Sequence, residues 1–170
     1  HECFRVLRAR NFATGLGPNT STMSNNWTTS GPPQAVATNG TQLTDNFSFR
    51  LTGSIVFPST GTYTITTTSD DVAAVYIEDQ LITSSSCCTA VAGTVSVVNT
   101  TTKRIRIDYI EYTGGASLDI KWAGPGISGT VAIPTSALRP RYGLVTSTTT
   151  DDAGATATTT TTSYTATGLD

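Results

Sequence analysis

"FSFRLTGSIVF", residues 47–57, alternates Phe47, Phe49, Leu51, Gly53, Ile55 and Phe57 with Ser48, Arg50, Thr52, Ser54 and Val56. The period is two, so an extended chain here has one apolar face and one mostly polar face. That is the pattern of a half-buried β-strand. Pro58 and Gly61 then mark a turn, and Tyr63, Ile65 and Thr67 open a second strand. Ala73, Val75 and Ile77 alternate with Ala74, Tyr76 and Glu78, and a turn at Glu78–Asp79–Gln80 returns the chain to Leu81 and Ile82. Ile105, Ile107 and Tyr109 oppose Arg104, Arg106 and Asp108, while Leu118, Ile120 and Trp122 oppose Ser117, Asp119 and Lys121. Between these last two runs, Glu111–Tyr112–Thr113–Gly114–Gly115 has the composition of a hairpin-like loop. No stretch shows helical spacing. Short alternating runs punctuated by Gly and Pro predict an all-β fold, an antiparallel β-sandwich.

Composition agrees. At 170 residues the chain holds one typical domain with a little to spare. Only 13% of residues are charged and 37% are hydrophobic, enough for a core but short of the charges that build soluble helices. A net charge of −2 gives no basic footprint for nucleic acid. No run is long and apolar enough to insert in a membrane. The chain opens on His1 without an initiating Met, so it is expected to be a processed piece of a longer protein. Its character changes near Pro140. Residues 146–168 are dominated by threonine and cannot bury enough apolar surface to fold alone, so 141–170 is expected to be a linker or the first part of a repeat.

The cysteines, Cys3, Cys87 and Cys88, are odd in number and lack zinc-site spacing, and the one histidine is residue 1. Cys3 paired with Cys87 or Cys88, a vicinal Cys87–Cys88 bridge, and three free thiols all remain open. Catalysis finds no support. A nucleophile needs a positioned base, and neither His1 nor the Cys87–Cys88 pair has an evident partner. A glycosidase needs two opposed carboxylates, whereas Asp70 and Asp71 are adjacent. Trp122 belongs to a strand and to the core. Trp27 sits in a loop-like stretch rich in Asn and Ser, where stacking on a sugar is conceivable but a structural role is favoured.

"VLRARNF" (6–12), "DNFSFRLTGSIVFPSTGTYTITTTSDD" (45–71), "VYIEDQLI" (75–82), "RIRIDYIEYTGGASLDIKWAGPG" (104–126) and "IPTSALRP" (133–140) together resemble the PA14 domain, in that family's order and over about residues 4–140. The resemblance implies a jelly-roll-type β-sandwich. It also places the chain among modules found in bacterial surface proteins, adhesins, glycosidases and toxins, and in fungal flocculins. The tail, with Tyr142–Gly143, Asp152–Ala153–Gly154 and Tyr164 to Gly168, is similar to the start of an RHS/YD-repeat array. That likeness implies a large bacterial secreted or cell-surface parent.

In sugar-binding PA14 members the Asp-Asp pair is joined by a cis peptide, and both side chains hold one Ca²⁺ that takes vicinal sugar hydroxyls. Carried over, Asp70 and Asp71 are the metal ligands. Calcium, a hard cation with about six to eight oxygen ligands, explains why two carboxylates crowd together. The family's second calcium loop matches Glu111 to Ala116, where flocculins offer an Asn side chain and backbone carbonyls. This chain has no Asn there, and Val72 replaces the glycine often found after the pair. Glu111 is then expected to give a carboxylate, Gly114 a metal-binding carbonyl, and Tyr112 and Gly115 contacts to the sugar. The expected function is a non-enzymatic, calcium-dependent, lectin-like module acting in adhesion. Its partners are glycans and the neighbouring domains or subunits of its parent. The alternative is a structural or protein-interaction module of a surface filament or assembly, with the Asp pair simply capping a turn.

Overall fold

The computed structural model describes residues 6–9, 21–33, 35, 40–140, 147–150 and 158–161. The chain divides into two units, His1–Pro140 and Arg141–Asp170. In the first, two sheets face each other. One runs in spatial order β1 (Val6–Ala9), β3 (Phe47–Val56), β8 (Thr102–Glu111), β5 (Val72–Ile77) and β6 (Gln80–Ser86). Here β11 (Leu138–Pro140) pairs β3 on the edge that β8 leaves. The other sheet runs β10 (Val131–Ala132), β9 (Ala116–Ala123), β4 (Gly61–Asp70) and β7 (Val91–Val97), with β2 (Ser24–Thr28) also on β9. Pairing is antiparallel except between β1 and β3, which are parallel.

The alternation read at residues 47–57 is what closes the sandwich. Phe47, Phe49, Leu51, Ile55 and Phe57 are all buried, while Arg50 and Thr52 are exposed. Across the interior they meet the inward residues of β9 and β4: Leu118, Ile120, Trp122, Tyr63 and Ile65. Burying a large apolar side chain contributes roughly 1.5–3 kcal/mol, so this face is the main source of cohesion. Two aromatic groups organise it. Phe49 stacks on Tyr109 at 4.7 Å, with Trp27 edge-on to both, and Phe57 packs on Tyr63 at 4.6 Å and on Trp122 at 5.9 Å. Trp122 is therefore core, as its alternation predicts. Trp27 is not in a loop: it lies on β2, buried beneath the rim of the sandwich. Pairing with β9 draws this Asn- and Ser-rich segment into strand geometry despite its composition.

The turn at Glu78–Asp79 is the predicted hairpin between β5 and β6. Both residues have positive φ, 50° and 65°, which matches the twist of a two-residue hairpin loop. The segment after Glu111 departs from expectation. It is not a hairpin, because β8 and β9 belong to different sheets. The same holds at Pro58–Gly61, where the chain leaves β3 for β4.

In the second unit, β12 (Ser147–Thr150) pairs antiparallel with β13 (Thr158–Thr161). The Tyr142–Gly143, Asp152–Ala153–Gly154 and Tyr164–Gly168 features of the expected RHS/YD repeat lie outside the described residues.

Candidate functional site

Two crossings between the sheets meet at one end of the sandwich. The first is Asp70–Asp71, between β4 and β5, and the second is 112–115, between β8 and β9. Register brings them together. β4 pairs β9 with Asp70 opposite Ser117, and β5 pairs β8 with Val72 opposite Ile110. Residues far apart in sequence thus share one rim because both crossings change sheets at the same level.

The Asp70–Asp71 peptide bond is cis. Asp71 Oδ2 accepts the amide hydrogens of Tyr112 at 2.7 Å and Thr113 at 3.4 Å, which ties the second crossing to the first. Among the described residues, Asp71 Oδ1 and the Asp70 carboxylate take no N–H or O–H donor. Gly115 is close enough that a Cβ there would lie 3.2 Å from Asp70 Oδ2, so its bare backbone leaves room at that oxygen. Gly114 has φ +104° and open space where a side chain would stand. Tyr112 is 45% exposed at the rim, and its carbonyl accepts the Asn46 amide at 2.9 Å.

Sequence reasoning missed Asp45. Its Oδ1 accepts the Gly114 amide at 2.9 Å, so the loop 112–115 hangs from two carboxylates, Asp71 and Asp45. The signal lies in pairing. Phe47 stands opposite Glu111, so the residues just before β3 must pass the residues just after β8.

Glu111 is not on the loop surface. It ends β8 and is fully buried. The period-two parity of Ile105, Ile107 and Tyr109 carries it inward. Glu111 Oε2 accepts the Tyr109 hydroxyl at 2.9 Å, and among the described residues Oε1 has no hydrogen-bond partner. The same hydroxyl donates to the Asp70 carbonyl. The phenolic hydrogen thus faces two acceptors, the Asp70 carbonyl and Glu111 Oε2, in a shared donor arrangement. Burial, then the negative charges of Asp71, Asp70 and Asp45, push the Glu111 carboxyl up to about 7, against the lowering effect of the Tyr109 hydrogen bond. Burial and the Glu111 hydrogen bond likewise hold the Tyr109 phenol neutral, well above its usual range.

Beside Asp70 stands a disulfide between Cys87 and Cys88. Both sulfurs lie within 4.8 Å of an Asp70 oxygen, with Cys87 Sγ at 3.4 Å from Oδ1. A disulfide sulfur carries neither a proton to donate nor a thiolate for a metal, so this contact is packing. Cys3 lies outside the described residues.

The implied calcium fits this donor set. Oxygen ligands suit a hard cation, the Asp70 carboxylate and Asp71 Oδ1 take no N–H or O–H donor among the described residues, and Gly115 leaves space beside Asp70. The charges acting on buried Glu111 from Asp45, Asp70 and Asp71 are all negative, as a cation-binding rim requires.

Residues 12–136 match the family model of the PA14 domain. A search of curated proteins finds no match. Among solved structures, an anti-sigma factor domain-containing protein superposes with a TM-score of 0.62 at 22% identity, covering 74% of this chain and 42% of that one. The chain thus spans less than half of that protein's length. A PA14 sugar-binding domain from an RTX adhesin gives 0.53 at 16% identity, covering 75% and 78%. The A domain of epithelial adhesin 9 from Candida glabrata, in complex with Galβ1-3GlcNAc, gives 0.54 at 12% identity, covering 69% and 66%. These likenesses describe the fold. With the family match spanning most of the described sandwich, the chain belongs to the PA14 domain family.

Proposed function

We propose that this domain is a calcium-dependent carbohydrate-binding module, non-catalytic, within a larger secreted or cell-surface protein. One observation carries the reading: Asp70 and Asp71 sit side by side at a rim where the 112–115 backbone comes up against them without side-chain obstruction at Gly114 and Gly115. Asp70 and Asp71 would hold the ion, with the Gly114 carbonyl from the second crossing. Bound there, calcium supplies a Lewis-acidic centre for vicinal hydroxyls. The chain's own part is to preset the place. Asp71 and Asp45 fix the loop, the Tyr109 hydroxyl fixes the Asp70 backbone, and buried Glu111 supports Tyr109 from below. In this reading Glu111 acts from beneath the site, and Tyr112 and Gly115 border the sugar.

Structural neighbours that are sugar-binding adhesins favour glycans as the partner. No helix among the described residues is long and apolar enough to cross a membrane. The threonine-rich tail suits a junction to further domains, such as an RHS/YD array, on a cell surface.

The second reading, a structural or protein-interaction module, is favoured by the amide bonds to Asp71 Oδ2, which by themselves give that side chain a loop-capping role. A glycan array probed with 5 mM calcium and again with EDTA separates the two. Binding that requires calcium supports the lectin reading. A blank array in both conditions, with a melting temperature indifferent to calcium, leaves the structural one.

A further inference from the structure

We propose that the Cys87–Cys88 disulfide is the apolar wall of the carbohydrate site, against which the C–H face of the bound sugar packs; this rests on the carbohydrate-binding reading above. A pyranose has two kinds of surface, hydroxyl edges and patches of C–H. A cation on Asp70 and Asp71 satisfies the first kind only. The second needs a polarisable or apolar surface beside the ion, at the height of the rim.

The disulfide has that position. Both cysteines are exposed, and both sulfurs lie within 4.8 Å of an Asp70 oxygen. The placement is held from three directions. The Cys88 amide donates to the Ser69 carbonyl at 2.7 Å, and Ser69 immediately precedes the aspartate pair. Ser69 Oγ and Ser85 Oγ, both buried, lie 2.5 Å apart, and this pins the end of β6 to the end of β4. The Thr89 hydroxyl donates to the Cys87 carbonyl at 3.5 Å. A bonded pair of neighbouring sulfurs on such a support presents a small, rigid, polarisable surface that has no hydrogen-bond donor and does not compete for the ion.

The site then has two soft flanks. Tyr112 stands on the Asp71 side, tied through its own amide, and the disulfide stands on the Asp70 side. The ligand class that fits is a pyranoside with vicinal hydroxyls on one edge and an adjoining C–H patch that can reach the sulfurs.

The test uses the 170-residue chain with a panel of methyl galactoside, mannoside, glucoside and fucoside. Calcium and glycoside affinities are measured for the native protein, the protein reduced by a phosphine, and Cys87→Ser/Cys88→Ser. Mass spectrometry confirms the thiol state, and a thermal melt confirms that each form is folded. The proposal expects calcium affinity to stay within about twofold, while affinity for the bound glycoside falls at least about fivefold on losing apolar contact area. Unchanged glycoside binding in both altered forms overturns it. Parallel loss of calcium also overturns it, because the disulfide would then act by holding Asp70. A native protein that binds calcium but no glycoside overturns the parent reading, a different result from either of these.

Discussion

Glu111 gives the sharpest prediction at the scale of single residues. Its carboxyl titrates from 4.5 when unperturbed to about 7 in the fold, because it is buried and faces three other acids. Between those values the folded state holds a proton that the unfolded state has released, so stability falls as pH rises from about 4.5 through about 7. Urea denaturation in calcium-free buffer should show this slope. Glu111→Gln, which keeps the shape and cannot ionise, should flatten it. A native slope identical to that of the variant would contradict the assignment. The parity of β8 made the inward direction of Glu111 legible in the sequence, since Ile105, Ile107 and Tyr109 set the rhythm that Glu111 continues. Beside a Gly-Gly loop, this carboxylate nevertheless reads as a rim ligand for calcium, the role expected of it from the sequence. What the sequence did not carry was the partner, a Tyr109 hydroxyl already committed to the Asp70 carbonyl.

At the scale of elements, the site is two inter-sheet crossings held together by carboxylates on backbone amides. Asp45 anchors Gly114 and Asp71 anchors Tyr112. Asp45→Ala removes a charge-assisted bond at a partly exposed position, so global stability should fall by no more than about 1–2 kcal/mol. Calcium affinity should drop more than that loss alone implies, because the 112–115 backbone is released. Calorimetric titration beside a thermal melt checks this, and an unchanged calcium affinity would show that the loop does not depend on Asp45. The strands themselves were readable at 47–57, 73–77, 105–109 and 118–122, where a period of two meets β-branched and aromatic residues. The connections were not. Glu111–Gly115 carries hairpin chemistry, and a loop that short can turn back within one sheet or arch over to the other. Long-range pairing, Asp70 with Ser117 and Val72 with Ile110, decides between them, and periodicity has no access to it. The same blindness hid Asp45 and placed Trp27 in a loop.

For the whole molecule, the sandwich ending at Pro140 carries its own core, whereas in Arg141–Asp170 the described residues are a two-stranded pairing of Ser147–Thr150 with Thr158–Thr161. An isolated hairpin is marginal in water. A chain ending at Pro140 should therefore melt at the same temperature as the 170-residue chain, within about 2 °C, and keep its calcium affinity; a fall of about 10 °C or more would make the tail part of the cooperative unit. In the proposed function, this fold brings Asp70 and Asp71 to the rim as a calcium-binding pair. The most direct test is calorimetric titration of calcium into the native chain and into Asp70→Asn/Asp71→Asn. One saturable site is expected in the native protein, lost in the variant while the variant's melting temperature in EDTA stays within a few degrees of native. The contradicting result is a native chain that binds no calcium, or a variant that binds it as well as native.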